Sequence, residues 1–211
     1  MQEPSSSKFI YDTGSGYLTV TGVNCTSCSS GYKYYDPSTS ESATGAESSS
    51  YQLKYGSATL HGYLMSDNVC LDPDQSDTCS DPFQFFYIMS ESGLDNLDGI
   101  LGLSPDVTSN GPSFMGSLMD QNKIDDPVAS FHLELNPTQS EVMIGGIDSD
   151  AYTGSLNYHS IEVTNWWTLS LDGVQMGNED IQASKTRYAI IDTGTSFLYL
   201  SQSDYLNFVT Q

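Results

Sequence analysis

The sequence predicts an all-β protein. Short runs rich in aromatic and β-branched residues recur between clusters of Gly, Asn, Asp and Ser, and apolar residues at helical spacing are scarce. Strands are predicted at 17–20, 83–89, 131–135, 141–144 and 167–171. A helix is predicted at 114–121, where Phe114, Leu118 and Met119 form one apolar face, and a second helix is predicted to begin at Ser203.

Two segments lack apolar periodicity, and we interpret one as a surface loop and the other as the boundary between two lobes. The Ser-rich stretch 38–50 is predicted to be a surface loop, because it offers no apolar face to a core. The segment 145–150 is rich in turn residues and follows a predicted strand, so we place a boundary there. The sequence therefore predicts two lobes, residues 1–148 and residues 149–211.

The charge of the chain narrows its possible partners. Six Lys and Arg residues stand against 27 Asp and Glu residues, which gives a formal net charge of −21. Such a field repels phosphate backbones and anionic lipids, so neither nucleic acid nor a membrane is expected as a partner. Two explanations of the acidity stay open: solubility, or adaptation to low pH, where carboxylates become neutral.

The four cysteines fall into two close pairs, Cys25 with Cys28 and Cys70 with Cys79. Three pairings are possible, and loop closure favours the two local disulfides. A redox or zinc-binding Cys-x-x-Cys is the alternative for the first pair, but no helical pattern follows it and no second such motif exists. Disulfides imply an oxidising compartment, so the protein is expected to be secreted or lysosomal/vacuolar.

Processing signals are sparse. Met1 is followed by the polar run 2–7, and no secretory signal is visible, so a disulfide-bearing chain of this kind is expected to be incomplete. The segment Asn24-Cys25-Thr26 has the form of an N-glycosylation acceptor, whereas the proline at the centre of 136–138 excludes the second Asn-x-Thr segment.

A short internal repeat carries the strongest functional signal. The segment 10–15, Ile-Tyr-Asp-Thr-Gly-Ser, returns at 190–195 as Ile-Ile-Asp-Thr-Gly-Thr, which places Asp12 and Asp192 180 residues apart. From average composition, Asp-Thr-Gly is expected about 0.05 times in such a chain, so two copies by chance have a probability of about one in a thousand. A single copy would be read as an ordinary Asx turn.

Two such loops can bring their carboxyl groups together, and two like charges at contact cannot both ionise. The pair then shares one proton, so that one Asp can accept a proton from water while the other donates one to a carbonyl oxygen. Ser15 and Thr195 are expected to donate to the carboxylates, and Thr13 and Thr193 to brace the loops. No metal site is expected, since the three histidines share no ligand spacing, and no Gly-x-Ser-x-Gly is present for a serine hydrolase.

Together with these loops, four further segments make the chain resemble the pepsin-like aspartic peptidases, whose dyad is the standard example of a shared proton. Lys54-Tyr55-Gly56-Ser57 resembles the flap hairpin of that family, and Asp98 to Leu103 resembles the strand that crosses the first catalytic loop. The segments 141–148 and 166–174 resemble the junction and the opening of the second lobe. The resemblance implies a bilobal pepsin-like acid protease fold with the second lobe incomplete, a cleft for an extended polypeptide, no cofactor, and a monomer.

The resemblance also implies a set of site residues. The catalytic pair is Asp12 and Asp192, with support from Thr13, Ser15 and Thr193, and the substrate-binding residues are Gly14, Tyr55, Gly56, Ser57, Gly194 and Thr195. Three positions depart from the family pattern: Gly16 replaces a usual Ser, Thr19 a usual Trp, and Ala58 a usual Gly. Without the indole, the Tyr55 hydroxyl is expected to lack its partner. A catalytically silent peptide- or protein-binding relative, or an inactive fragment, is the alternative function.

Overall fold

The structure is a computed structural model that describes residues 8–28, 33–45, 49–72, 74–94, 97–105, 111–182, 185 and 187–210. Its strands are β1 (Phe9–Asp12), β2 (Leu18–Thr21), β3 (Tyr51–Lys54), β4 (Thr59–Cys70), β5 (Cys79–Ser92), β6 (Gly99–Gly102), β7 (Ala129–His132), β8 (Glu141–Ile144), β9 (Thr168–Ser170), β10 (Gln175–Met176), β11 (Glu179–Asp180) and β12 (Tyr188–Ile190). Its α-helices are α1 (Phe114–Asp120) and α2 (Gln202–Val209). The prediction of an all-β fold is confirmed.

A six-stranded sheet in the order β1-β6-β2-β5-β4-β3 dominates the first part of the chain. Strand β6 lies between β1 and β2, parallel to the first and antiparallel to the second, so it crosses behind the loop that joins them. The backbone N–H of Leu103 donates to the carbonyl of Asp12 at 2.8 Å, and that of Gly102 donates to Tyr17 at 3.0 Å. The crossing strand predicted from 98–103 is therefore present, and it holds both ends of the first Asp-Thr-Gly loop.

The sheet buries side chains on both faces. Because successive residues of a strand point to opposite sides, Phe85 and Tyr87 of β5 join one apolar cluster while Phe86 and Ile88 join the other. Helix α1 covers the first cluster with Phe114, Met115 and Leu118. The prediction that Met119 belongs to the buried face is wrong: Met119 is 38% exposed, and Met115 takes its place at the spacing that points inward.

Several predicted boundaries are corrected. The strand predicted at 131–135 ends at His132, since β7 pairs with β8 only as far as the His132–Glu141 pair. Beyond it, Leu133 and Leu135 are exposed at 77% and 104%. Helix α1 ends one residue before the predicted limit, and α2 begins at Gln202, one residue earlier than predicted, behind the N-cap Ser201.

The second part of the described chain forms two small ribbons, β10 with β11 and β12 with β9, together with α2. Many large apolar side chains are exposed here, among them Phe197, Leu198 and Tyr199 at close to four-fifths each. The indole N–H of Trp167 donates to the carbonyl of Leu103 at 2.8 Å and so joins this part to the sheet. The division into lobes at residues 148 and 149 stays a prediction.

Both local disulfides form, Cys25 with Cys28 and Cys70 with Cys79, which confirms the predicted pairing. Cys70 and Cys79 stand opposite one another at the end of the β4–β5 ladder, so the second disulfide closes the loop that joins these long strands. None of the helices in the described ranges combines the length and apolarity needed to cross a bilayer.

Candidate active site

The first Asp-Thr-Gly loop fixes both oxygens of Asp12. This aspartate is the last residue of β1 and is 6% exposed. The backbone N–H of Gly14 donates to Oδ1 at 2.9 Å, and the hydroxyl of Ser15 donates to Oδ2 at 2.5 Å. Because each oxygen accepts a hydrogen bond from a different donor, the carboxyl group is held in one orientation.

The second loop, which follows β12, repeats this arrangement around Asp192. The backbone N–H of Gly194 donates to Oδ1 at 2.8 Å, and the hydroxyl of Thr195 donates to Oδ2 at 2.5 Å. Asp192 is half-buried, whereas Asp12 is buried. The two loops therefore present equivalent carboxyl groups, each with one backbone donor and one hydroxyl donor.

The two carboxyl groups meet, although 180 residues separate them in sequence. They lie within hydrogen-bonding reach of each other. Each also occupies the space that a side chain would need on the opposite loop: a Cβ on Gly14 would lie 2.5 Å from Cγ of Asp192, and a Cβ on Gly194 would overlap Asp12. Glycine in both motifs is thus required by the close approach of the other loop.

Reciprocal hydrogen bonds join the loops beneath the carboxyl groups. The backbone N–H of Thr13 donates to Oγ1 of Thr193 at 3.0 Å, and the backbone N–H of Thr193 donates to Oγ1 of Thr13 at 2.9 Å. Each hydroxyl in turn donates to a carbonyl of the other segment, Thr13 to Ile191 at 2.9 Å and Thr193 to Tyr11 at 2.5 Å. Each threonine therefore completes the backbone hydrogen bonding of the opposite loop.

The electrostatic setting favours retention of a proton by Asp12. Burial raises the pKa of the Asp12 carboxyl group, since the charged form loses hydration. The hydrogen bonds from Ser15 and Gly14 lower the pKa, whereas the adjacent Asp192 raises it, and the net shift is upward. A carboxyl group in this position can remain protonated at a pH where an exposed aspartic acid has already ionised.

A cleft of about 900 Å³ opens above the two carboxyl groups. The β3–β4 hairpin forms one wall and turns through Gly56 and Ser57, with the backbone N–H of Tyr55 donating to the carbonyl of Ala58 at 2.8 Å. Ala58 causes no strain there, because Asn122 is the single residue other than glycine with positive φ in the described ranges. The predicted flap hairpin is thus present.

The Tyr55 side chain points from this hairpin toward the first loop. Its hydroxyl is buried and makes no hydrogen bond of normal geometry to a described residue, with the Ser15 hydroxyl as its neighbour. Burial raises the pKa of the phenol, and the Asp12 carboxylate raises the pKa further. Thr19 is not a partner of the Tyr55 hydroxyl; its own hydroxyl accepts from the backbone N–H of Ile100 at 3.0 Å within the sheet.

The structure brings most of the predicted site residues together. Those lining the cleft are Asp12, Gly14, Ser15, Tyr55, Gly56, Ser57, Asp192, Gly194 and Thr195, whereas Thr13 and Thr193 are not among the lining residues. An apolar group on the walls of the cleft was not predicted from the sequence; its members are Tyr17, Leu94, Leu97, Trp166, Phe197 and Tyr199. Only Tyr17 and Phe197 carried a usable signal, because each follows its Asp-Thr-Gly triplet closely.

Comparison with known proteins agrees with this architecture. A family model described as eukaryotic aspartyl protease matches residues 2–211. Pepsin A of Sus scrofa is 36% identical over 198 residues, which are 90% of this chain and 50% of that protein. Embryonic pepsinogen of Gallus gallus is 32% identical over 214 residues, 95% of this chain and 53% of the relative. Vacuolar protease A of Neurospora crassa is 32% identical over 205 residues, 93% of this chain and 50% of the relative.

The β architecture, with a strand crossing behind an Asp-Thr-Gly loop, is that of a pepsin-like protein. The chain belongs to the eukaryotic aspartyl protease family. It spans about half the length of the curated relatives it matches.

Proposed function

We propose that the protein is an aspartic endopeptidase that hydrolyses peptide bonds at acidic pH, with Asp12 and Asp192 as the catalytic pair. The observation that carries the proposal is the meeting of two equivalent carboxyl groups, each held by one backbone N–H and one hydroxyl, at the floor of an open cleft. Family membership supports the same reaction class.

The chemistry follows from one proton shared between two carboxyl groups. A water molecule bound between Asp12 and Asp192 loses a proton to the ionised carboxylate, and its oxygen attacks the carbonyl carbon of the peptide bond. The protonated carboxyl group donates its proton to the carbonyl oxygen, which gives a tetrahedral diol. Transfer of a proton to the amide nitrogen then breaks the C–N bond, and no acyl-enzyme forms.

The cleft supports an extended polypeptide as substrate. The β3–β4 hairpin lies over it as a flap, and the exposed backbone of Gly56 and Ser57 offers hydrogen-bonding groups to a strand-like ligand. Leu94, Leu97 and Tyr17 provide apolar wall surface for bulky side chains beside the cleaved bond. We propose that the protein acts as a monomer in an acidic compartment, secreted or lysosomal/vacuolar.

One observation favours a second candidate, a catalytically silent relative that binds peptides. The Tyr55 hydroxyl is buried and makes no hydrogen bond of normal geometry to a described residue, and Thr19, at the position where the family usually has a Trp, accepts from the backbone N–H of Ile100 instead. A flap tyrosine without a fixed partner would position a substrate less well, while the cleft could still hold an extended peptide.

Hydrolysis of an acid-denatured globin at a series of pH values, read by mass spectrometry, tests the proposal. We expect cleavage that a statine-type inhibitor blocks, and loss of about 10²-fold to 10⁴-fold or more in rate for Asp192→Asn. Asp172→Asn, an exposed carboxylate outside the cleft, is the matched control and keeps full activity. Inhibitor binding without cleavage would favour the silent relative, and the absence of both would refute both functions.

A further inference from the structure

The segment 24–26 forms an exposed turn that the proposed active site does not use. Strand β2 ends at Thr21, and the backbone N–H of Cys25 donates to the carbonyl of Gly22 at 2.9 Å, which makes a β-turn with Val23 and Asn24 at its centre. Asn24 and Thr26 are both exposed, and neither lines the cleft.

The backbone on both sides of this turn is anchored while the two polar side chains face solvent. The N–H of Val23 donates to the carbonyl of Tyr35 at 2.9 Å, and the N–H of Thr26 donates to that of Met89 at 3.0 Å. Among the described residues, neither the Asn24 amide nor the Thr26 hydroxyl has a side-chain hydrogen bond that would have to be broken for modification. A large polar group attached to Asn24 would project outward without displacing any packed side chain.

We propose that Asn24 is an acceptor for an N-linked glycan. In this reaction the side-chain amide nitrogen of Asn24 attacks the anomeric carbon of a lipid-pyrophosphate-linked oligosaccharide. The N–C bond forms as the C–O bond to the pyrophosphate breaks, the lipid pyrophosphate leaves, and the amide nitrogen gives up one proton. Thr26 supplies the hydroxyl that the acceptor motif requires two residues after the asparagine.

The second Asn-x-Thr segment of the chain provides an internal contrast. Asn136 is also exposed, and its Oδ1 accepts from the backbone N–H and the hydroxyl of Thr138 at 3.3 and 3.0 Å. Pro137 fixes the backbone between them and removes an N–H, so this segment is not an acceptor. Replacement of that single proline converts it into a reporter of whether the chain has met the glycosylation machinery.

The Cys25–Cys28 disulfide competes with glycosylation at this site. It closes a ring between two residues three apart, and one of them is the middle residue of the acceptor motif. Once the ring is closed and the backbone N–H of Thr26 is hydrogen-bonded to Met89, the motif is held in a tight turn. It then cannot extend into the active-site cleft of the glycosylating enzyme. The glycan must therefore be added before this disulfide closes, and the wild-type chain is expected as a mixture of glycosylated and unglycosylated forms.

The test is expression of the full chain behind a secretory leader in eukaryotic cells, followed by peptide N-glycosidase digestion and peptide mass spectrometry. We expect a wild-type fraction whose mobility shifts on digestion, with the deamidated residue at position 24. The shift is lost in Asn24→Gln and in Thr26→Val. The double variant Cys25→Ser with Cys28→Ser keeps the motif, removes the competing ring, and is expected to raise the glycosylated fraction.

A positive control makes a negative result decisive. Pro137→Ala is introduced into the Asn24→Gln background, where a glycan on Asn136 reports access to the machinery. A wild-type chain that carries no glycan overturns the proposal, and the control then tells whether the site itself or the access of the chain was misjudged. A glycosylated fraction that does not rise in the double cysteine variant overturns the competition with the disulfide.

Discussion

Asp67 is a buried acid with no basic partner in the described structure, and its neutralisation gives a sharp test of the fold. It is 5% exposed. Its Oδ2 accepts from the Tyr35 hydroxyl at 2.5 Å, and its Oδ1 accepts from Ser42 at 2.5 Å, Ser40 at 3.0 Å and the backbone N–H of Asn68 at 2.8 Å. The carboxylate therefore ties two serines at the start of the Ser-rich loop, and Tyr35 before it, to strand β4.

Replacement of Asp67 by Asn keeps the size of the side chain and removes the charge. The amide oxygen can still accept on one side, but the new NH₂ group faces the Tyr35 hydroxyl, so one charge-assisted hydrogen bond is lost and the others weaken. A hydrogen bond to a charged group contributes about 1.5–3 kcal/mol, and removal of a buried charge returns part of that, so we expect a loss of about 2 kcal/mol in the free energy of unfolding.

The loss should depend on pH with a defined sign. Burial raises the pKa of Asp67, but the hydrogen bonds from Ser42, Tyr35, Ser40 and Asn68 outweigh it, and the pKa is held below its ordinary value of 3.8. A carboxyl group whose pKa is lower in the folded than in the unfolded state stabilises the fold above the unfolded pKa, and the contribution disappears as pH falls through the folded pKa. The difference between wild type and variant should thus be full at pH 7 and shrink below about pH 4.

Urea unfolding at pH 7, 5 and 3, followed by tryptophan fluorescence, measures this difference. Asp150→Asn, which neutralises an exposed acid, is the matched control and is expected to change the unfolding free energy by less than about 0.5 kcal/mol. A variant as stable as wild type at pH 7, or a difference that does not decrease at pH 3, would refute the assignment of Asp67 as a stabilising ionised group.

Three further changes test the site and its support. Ser15→Ala removes a hydrogen-bond donor that lowers the pKa of Asp12, so the pair of carboxyl groups should keep its proton to higher pH. The alkaline limb of the pH profile of kcat/KM should then move to higher pH, and a shift to lower pH contradicts this. Tyr55→Phe removes a buried hydroxyl that makes no hydrogen bond of normal geometry, so it should raise the unfolding free energy by about 1 kcal/mol in a urea titration. A destabilised variant would show that the contact of this hydroxyl with Ser15 is a stabilising hydrogen bond. Replacement of Cys70 and Cys79 by Ala opens a short loop and should lower the melting temperature, with a loss of about 2–3 kcal/mol in the free energy of unfolding. An unchanged melting temperature would show that the β4–β5 ladder needs no cross-link.

The features that could be predicted from sequence are those encoded by neighbouring residues. The two Asp-Thr-Gly loops, the flap turn at Gly56 and the local cysteine pairs each occupy a few adjacent positions, so their geometry follows from short-range chemistry. The strand 141–144 was also placed correctly, because the turn residues that follow it at 145–150 mark its end.

What the sequence could not provide depends on distant packing. Leu94 and Trp166 reach the same cleft only after the sheet and the second part of the chain have come together. Trp166 belongs to the segment 166–174, but nothing in that local pattern places its side chain at the cleft. Met115 and Met119 are the same residue type in the same helix, so the sequence does not distinguish them, and the position of β5 decides which of the two is buried. The ends of strands are mispredicted for a similar reason, since β7 ends where its pairing with β8 ends.

Gly14 and Gly194 each leave room for the aspartate of the opposite loop, so the two distant segments constrain each other in evolution. A methyl group gained at either position would push against an acid carried by the opposite repeat, so neither repeat can drift at this position without harming the other. Relatives that lost the acids would be released from the restriction, and alanine at both positions would then mark chains without the proposed peptidase activity.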